Sequence, residues 1–278
     1  MVESGSLENC YTRKGIEGSN PSASANWNFA SEKVLPRGAS RGEERIPFEP
    51  FLKYTAANRV SKERGASKLL YKYYMAYLVL VRHSFSEYNQ LGLWTGQTDV
   101  ELSPNGVTQA RQIGEALRGI PIHKAHTSLL RRAKQTLHHI KDVLGLHHIQ
   151  TQEHQALNER HYGIYTGKNK WQIQDELGQE EFLRIRRGWD HAIPQGETLK
   201  DVYQRVVPYY ESVIALDLAA ELNTLVVAHG NSLRALIKYL EQVADHEITQ
   251  LEIGHDEAHC YTFDAKQRLI SKEIRRAV

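Results

Sequence analysis

Two stretches of unbroken apolar residues stand out along the chain, Tyr77-Leu78-Val79-Leu80-Val81 and Thr224-Leu225-Val226-Val227-Ala228. Neither alternates with polar residues, which is the pattern of central strands in a parallel sheet covered on both faces. Between and after them the apolar period becomes helical. Ser103-Pro104 opens one helix, since Ser suits the cap and Pro the first helical position. Val107, Ala110, Ile113 and Leu117 make its apolar face, and Gly119 closes it before Pro121. Ser128 reads as the cap of a second helix, with Leu130, Ala133, Leu137, Ile140 and Leu144 on one face and Gly145 at its end. Residues 170–187 read as one helix with Trp171 and Leu183 as core candidates. Residues 198–219 read as a long helix using Leu199, Val202, Val206 and Val213, and residues 233–240 as another. Weaker strand candidates are 123–127, 148–151 and 259–264. Strands alternating with helices predict an α/β fold, three-layer α/β/α with a mostly parallel sheet.

Residues 1–74 break this pattern. The first thirty are rich in Ser, Asn and Gly with almost no apolar period, too little to offset the entropy of ordering them. Mixed charges around Pro47 and Pro50 follow, and only a short helix from Ser61 towards Tyr74 is expected. The run Gly18-Ser19-Asn20-Pro21 back-translates to a sequence resembling the TψC arm of a tRNA gene. Met75, the second of two methionines, stands immediately before the first strand. The expectation is a disordered arm over 1–74 that is not part of the natural protein, and one catalytic domain over 75–278.

Charge separates the same two regions. The chain carries 35 Lys and Arg against 33 Asp and Glu, and its first 74 residues hold 12 and 8 of these, leaving 23 against 25 for the remainder. All 14 His lie in that remainder. So balanced a chain has no bulk attraction to nucleic acid or membrane, and the arm lacks the clustered cations of an RNA-binding segment. No signal peptide or long apolar stretch is visible, and Cys10 and Cys260 lie in different regions; a cytoplasmic setting is expected, with Cys260 a packed thiol.

Both apolar strands end alike, in Arg82-His83 and in His229-Gly230. Neighbouring parallel strands end on one sheet edge, where open α/β sheets bind ligands. The two imidazoles are thus placed to face each other, and imidazole is both a nucleophile and a proton carrier near neutrality. Arg131 and Arg132 in a first helical turn oppose the helix dipole unless they face an anion. The helix start at Asn231-Ser232 offers free backbone N–H groups, and guanidinium forks match phosphate oxygens. The combination points to a tetrahedral anion.

The segments RHSFSEYN, TSLLRRA, LNERHYG and AHGNSLRALIKYL together resemble the histidine phosphatase superfamily, and within it most closely the cofactor-dependent phosphoglycerate mutases. The resemblance covers residues 77–264 and none of 1–74. It implies that His83 is phosphorylated on its imidazole, that Arg82, Arg132 and His229 surround the transferred phosphoryl group, and that Glu159 moves the proton of the substrate hydroxyl. It implies substrate contacts at Asn89, Thr95, Gly96, Arg160, Tyr162, Lys170, Arg186, Arg187, Gly230 and Asn231. The implied reaction interconverts 3-phosphoglycerate and 2-phosphoglycerate with 2,3-bisphosphoglycerate as phosphoryl primer and no metal, in a monomer or small homo-oligomer. The alternative is a broad-specificity phosphomonoesterase of the same superfamily, and a different class again is a catalytically silent phosphate sensor. The chain departs from the family pattern in four places. Ser84-Phe85 replaces Gly-Glu, Tyr88 replaces Trp, the segment 188–196 is short, and Ile253-Gly254-His255-Asp256-Glu257 replaces an Ile-Pro-Thr-Gly loop. His255 and His259 have metal-pair spacing, but on a segment that reads as loop into strand. His138-His139 and His147-His148 read as surface residues, and His161 as a support of the pocket.

Overall fold

Leu78, Val79, Leu80 and Val81 are all fully buried, as a strand covered on both faces requires. The computed structural model describes residues 75–277. The expectations for 1–74, namely the arm, its short helix and Cys10, lie outside the described residues. The strands are β1 (Met75–Arg82), β2 (Lys124–Thr127), β3 (Gln150–Glu153), β4 (Thr224–Ala228), β5 (Glu257–Asp264) and β6 (Leu269–Arg276). The α-helices are α1 (Glu87–Gln90), α2 (Pro104–Ala116), α3 (Arg131–Leu144), α4 (Lys170–Leu177), α5 (Gln179–Arg187), α6 (Leu199–Tyr209), α7 (Ala215–Ala219) and α8 (Gly230–Glu241).

The sheet order is β3-β2-β4-β1-β5-β6. The first four strands run parallel, and β5 and β6 add antiparallel pairs at one edge. Alternate residues of the central strands feed two cores. Leu78, Leu80, Val226 and Ala228 pack with Leu199, Val202, Val206, Leu233 and Leu236 of α6 and α8. Val79, Val81, Leu225 and Val227 pack with Ile113, Leu117, Ala133, Leu137 and Ile140 from the α2 and α3 side. The fold is three-layer α/β/α. Each of these Leu and Val side chains contributes roughly 1.5–3 kcal/mol on burial, so the strand ends rest on the most firmly held part of the molecule.

Ser103 caps α2, its Oγ accepting from Gly106 N at 3.1 Å. That helix start also docks the loop after β1, because Ser103 N donates to the Phe85 carbonyl at 2.9 Å. A Cβ on Gly106 would lie 1.9 Å from the same oxygen, so only glycine permits the approach.

Some expectations need correcting. Ser128 does not cap α3, which starts at Arg131 behind Leu130 with no side-chain cap. Residues 170–187 form two helices that meet at Gly178, whose φ of +79° breaks the helical phase. Trp171 and Leu183 consequently stand 58% and 42% exposed, while Ile173, Phe182 and Ile185 join the core. The long helix contains Pro208 and passes through a π-turn over Tyr210–Ile214 before α7. A proline cannot donate its ladder bond, which makes a local departure from α geometry inexpensive there. β3 lies two residues later than expected, and β6 has no counterpart in the apolar pattern. Cys260 is buried on β5, and burial pushes its thiol up to about 11. Among the described residues no helix is long and apolar enough to cross a membrane.

Candidate active site

The register of β1 and β4 brings the two imidazoles together. Arg82 lies opposite Ala228, and His83 N donates to the Ala228 carbonyl at 2.8 Å. The rings of His83 and His229 are 5.0 Å apart at their centres and both are buried. Nδ1 of His83 lies 2.8 Å from the Ser84 carbonyl. A carbonyl only accepts, so Nδ1 carries the proton and the lone pair is on Nε2. Ser128 Oγ accepts from Leu130 N at 3.2 Å and lies 2.7 Å from Nε2 of His229. Nε2 is the acceptor within reach of the Ser128 hydroxyl proton among the described residues, and donation to it leaves the imidazole proton on Nδ1 of His229, a buried atom with no partner among them. One ring offers a lone pair and the other an N–H. Burial, then the charge of Arg132, hold both rings well below the usual histidine range, so both are neutral at pH 7.

Two guanidinium groups adjoin this pair. Arg132 is fully buried in the first turn of α3, donating from Nη1 to Thr98 O at 2.9 Å and from Nη2 to Gly96 O at 2.8 Å. Burial lowers it to about 10, so it remains a cation. Arg82 donates from Nη1 to Ile253 O at 2.9 Å. The Nε atoms of both are buried without partners among the described residues. Such donors cost free energy unless an acceptor meets them, and a phosphoryl group is an acceptor of the right charge. Arg131 turns outward to Asp99 and Glu101. Gly96 and Thr98 thus hold Arg132 through their carbonyls, and the buried Thr95 accepts from Thr98 N at 3.1 Å.

Glu159 reaches the site from the loop after β3. Its Oε1 accepts from Arg160 N at 2.8 Å and from Asn231 N and Nδ2 at 3.1 Å each. Three donors on Oε1 leave Oε2 as the oxygen able to take a proton. Gly230 lies between them: a Cβ built on it would stand 3.6 Å from Oε2 and 3.5 Å from the Arg82 guanidinium, in ordinary contact with both. Arg234 donates from Nη1 to Asn231 Oδ1 at 2.9 Å. That fixes the amide so that Nδ2 serves Glu159 and the Tyr162 hydroxyl, the latter at 2.9 Å. Tyr162 thereby keeps its own proton to donate. Behind the loop, Arg205 pairs with Glu197 and donates to the carbonyls of Ala156, Asn158 and Glu159. Glu197 also accepts from His161 N at 2.8 Å, and His161 Nδ1 accepts from Gly163 N, so His161 supports the loop.

A cleft opens from here, lined by Arg82, Glu159, Tyr162, Arg186, Arg187, Gly230, Asn231, Arg234, Glu252 and Ile253. Lys170 stands near it; burial first, then Arg186 and Arg82, lower its ammonium to about 8. Arg187 is already paired, its Nη2 lying 2.6 Å from Glu252 Oε1. Arg160 sits behind the cleft, donating to the carbonyls of Ile185 and Arg186 and lying 4.6 Å from the Tyr162 ring centre. Asn89 uses its Oδ1 to accept from Ser86 in the capping box of α1. His255 stands beside the two imidazoles, its ring centre 5.3 Å from that of His83. His259 is buried on β5 beside Glu257, and among the described residues no group of His, Cys, Asp and Glu is arranged to hold a metal ion.

Residues 78–272 match the histidine phosphatase superfamily (branch 1). The chain belongs to the histidine phosphatase superfamily. A 2,3-bisphosphoglycerate-dependent phosphoglycerate mutase of Nocardia farcinica is 44% identical over 200 residues, covering 63% of this chain and 82% of that protein. A phosphoglycerate mutase of Schizosaccharomyces pombe is 40% identical over 199 residues, covering 71% and 94%. Among solved structures, mycobacterial glucosyl-3-phosphoglycerate phosphatase complexed with VO3 superposes with a TM-score of 0.63 at 26% identity, covering 73% of this chain and 100% of that one. A mycobacterial hydrolase gives 0.64 at 25% identity, covering 73% and 99%.

Within this superfamily frame, sequence patterning overlooks Arg234, Arg205, Glu197 and Glu252, which shape the site, and gives His255 only a metal-pair spacing. Arg234 stands inside the segment AHGNSLRALIKYL and Glu197 just before the helix expected from residue 198, but nothing local distinguishes them from solvated charges. Ser128 carried a signal that pointed to a different role.

Proposed function

We propose that this protein interconverts 3-phosphoglycerate and 2-phosphoglycerate through a phosphohistidine at His83. Nε2 of His83 carries the attacking lone pair, held in line by the Nδ1–H bond to the Ser84 carbonyl. His229 Nδ1–H, Arg82 and Arg132 donate to the phosphoryl oxygens as charge spreads onto them, and they are fixed beforehand by carbonyls and by Ser128. 2,3-Bisphosphoglycerate supplies the phosphoryl group that first loads His83, and the buried N–H donors of Arg82, Arg132 and His229 fit so anionic a ligand.

From loaded His83 the phosphoryl group passes to a glycerate hydroxyl. The oxygen–phosphorus bond forms, the phosphorus–nitrogen bond breaks, and its electron pair returns to Nε2. Glu159 Oε2 takes the hydroxyl proton. After the doubly phosphorylated glycerate turns over in the cleft, the same steps run backwards at its other phosphate and Glu159 returns the proton. Lys170, Arg186 and Arg187 hold the carboxylate and the phosphate not in transfer.

The observation that carries this reading is the placement of a lone pair on one buried imidazole 5.0 Å from a second ring that presents an N–H, with a proton-ready carboxylate oxygen across Gly230. A coupled assay tests it, following 2-phosphoglycerate formation from 3-phosphoglycerate, with and without bisphosphoglycerate, against phosphate release. Mutase turnover that rises on adding bisphosphoglycerate is expected. Phosphate release alone would replace the reading with that of a phosphomonoesterase.

A further inference from the structure

A cavity of about 220 Å³ opens at the end of the sheet remote from the imidazole pair. Tyr77, near the start of β1, lines it, and His83 lies past the other end of that strand, roughly 20 Å away. Strand register builds its floor. Tyr77 pairs with Thr262 on β5, and Thr262 with Ser271 on β6. Paired residues share a sheet face, so three hydroxyl side chains form a row on the side covered by α2. Cys260 and Glu273 make the next row. Helix α2 ends at Ala116, and the chain turns at Gly119, where φ is +85°, to enter β2 through Ile120 and Pro121. The hydroxyl row lies beneath that turn, past the end of the helix. Among the described residues no hydrogen bond reaches the side chains of Tyr77, Thr262 or Ser271.

Two charges complete the lining. Arg275 donates from Nε to Glu273 Oε1 at 3.1 Å, and from Nη1 to the carbonyls of Ala116 and Arg118 at 3.3 and 3.2 Å. A cation suits these last carbonyls of α2. Nη2 of Arg275 and Oε2 of Glu273 have no hydrogen bond from the described residues. The Cys260 thiol stays protonated and adds no charge. This lining is therefore neutral overall but offers both signs side by side, whereas the catalytic cleft sets Arg82, Arg186, Arg187 and Arg234 against Glu159 and Glu252. A net anion has no preference for such a place; a ligand with both signs a few bonds apart does. At about 30 Å³ for each water-sized group the volume admits roughly seven non-hydrogen atoms, the size of a three-carbon amino acid.

We infer that this cavity binds a small zwitterionic α-amino acid, with its carboxylate on Nη2 of Arg275, its ammonium on Oε2 of Glu273 and its side chain on the hydroxyl row. The site is separate from the phosphoryl-transfer corner and goes beyond the proposed reaction.

Isothermal titration of the full-length protein with L-serine tests this. Saturable binding with a Kd of about 1 mM is expected. Glycerol, which has the hydroxyls but no charge, and L-tryptophan, which is too large, should each bind at least about tenfold more weakly. Glu273→Gln sits at an exposed edge-strand position and keeps the side-chain shape; it should weaken L-serine by about tenfold. Ser271→Trp fills the cavity and should abolish the binding heat. Both variants should keep the circular dichroism of the unmodified protein. Binding of L-serine that is unchanged in both variants, glycerol binding as tight as that of L-serine, or no saturable binding to the unmodified protein overturns the inference.

Discussion

The inner corner of the site and its outer rim are built in different ways. At the corner, His83 and His229 leave adjacent strands one residue beyond paired positions, and each ring has a nitrogen fixed by a carbonyl or by Ser128. At the rim, Arg186, Arg187, Glu252 and His255 come from a helix end and a loop, and Arg187 is held by another side chain. The corner is placed by the sheet; the rim is placed by its own charges. In the proposed function, the step that tolerates little misplacement therefore sits on the rigid element, and substrate selection falls to side chains such as Arg187 that are held by other side chains.

The largest effect should follow from damage to the corner. His83→Ala is expected to lower both mutase turnover and phosphate release by about 10⁴-fold or more while leaving the fold intact by circular dichroism. Glu159→Gln keeps the hydrogen-bonded shape but removes the proton acceptor. It should lower kcat by about 10²–10³-fold with little change in KM, measured in the coupled assay. If KM carried the loss instead, Glu159 would belong with the rim.

The rim should respond to pH and to charge. Lys170 is cationic below its lowered value of about 8 and loses that charge as pH rises through it. kcat/KM should accordingly fall above pH 8, by about tenfold per unit, and Lys170→Arg should flatten the fall. His83 and His229, held neutral, add no loss in that range. The smallest effect is expected of Glu252→Gln, which frees Arg187 for substrate. Because Glu252 is more than half exposed, KM should fall by only about two- to fivefold, and the change should shrink in high salt.

What was legible in the sequence follows the same division. Leu78–Val81 and Leu225–Ala228 announce themselves because a strand buried on both faces admits no polar residue, and the histidines that end them inherit that certainty. Arg132 is betrayed by its position against the helix dipole, yet Arg131 beside it carries the same signal and points to solvent, since adjacent helical residues diverge by about 100°. Trp171 and Leu183 mislead because Gly178 resets the helical phase between them. β6 is silent, its Leu269, Ile270 and Ile274 being exposed on an edge strand interrupted by Lys272, Arg275 and Arg276. Glu252 and His255 lie on a loop, where no period exists to reveal a partner.

The central claim is that His83 carries the phosphoryl group in transit. Rapid quench after mixing with bisphosphoglycerate, followed by peptide mass spectrometry under alkaline conditions, measures this directly. One acid-labile phosphoryl group per chain, on the peptide containing His83 and lost on adding 3-phosphoglycerate, is the predicted result. An enzyme that turns over at full rate with no label on His83, or with the label on another residue, would contradict it.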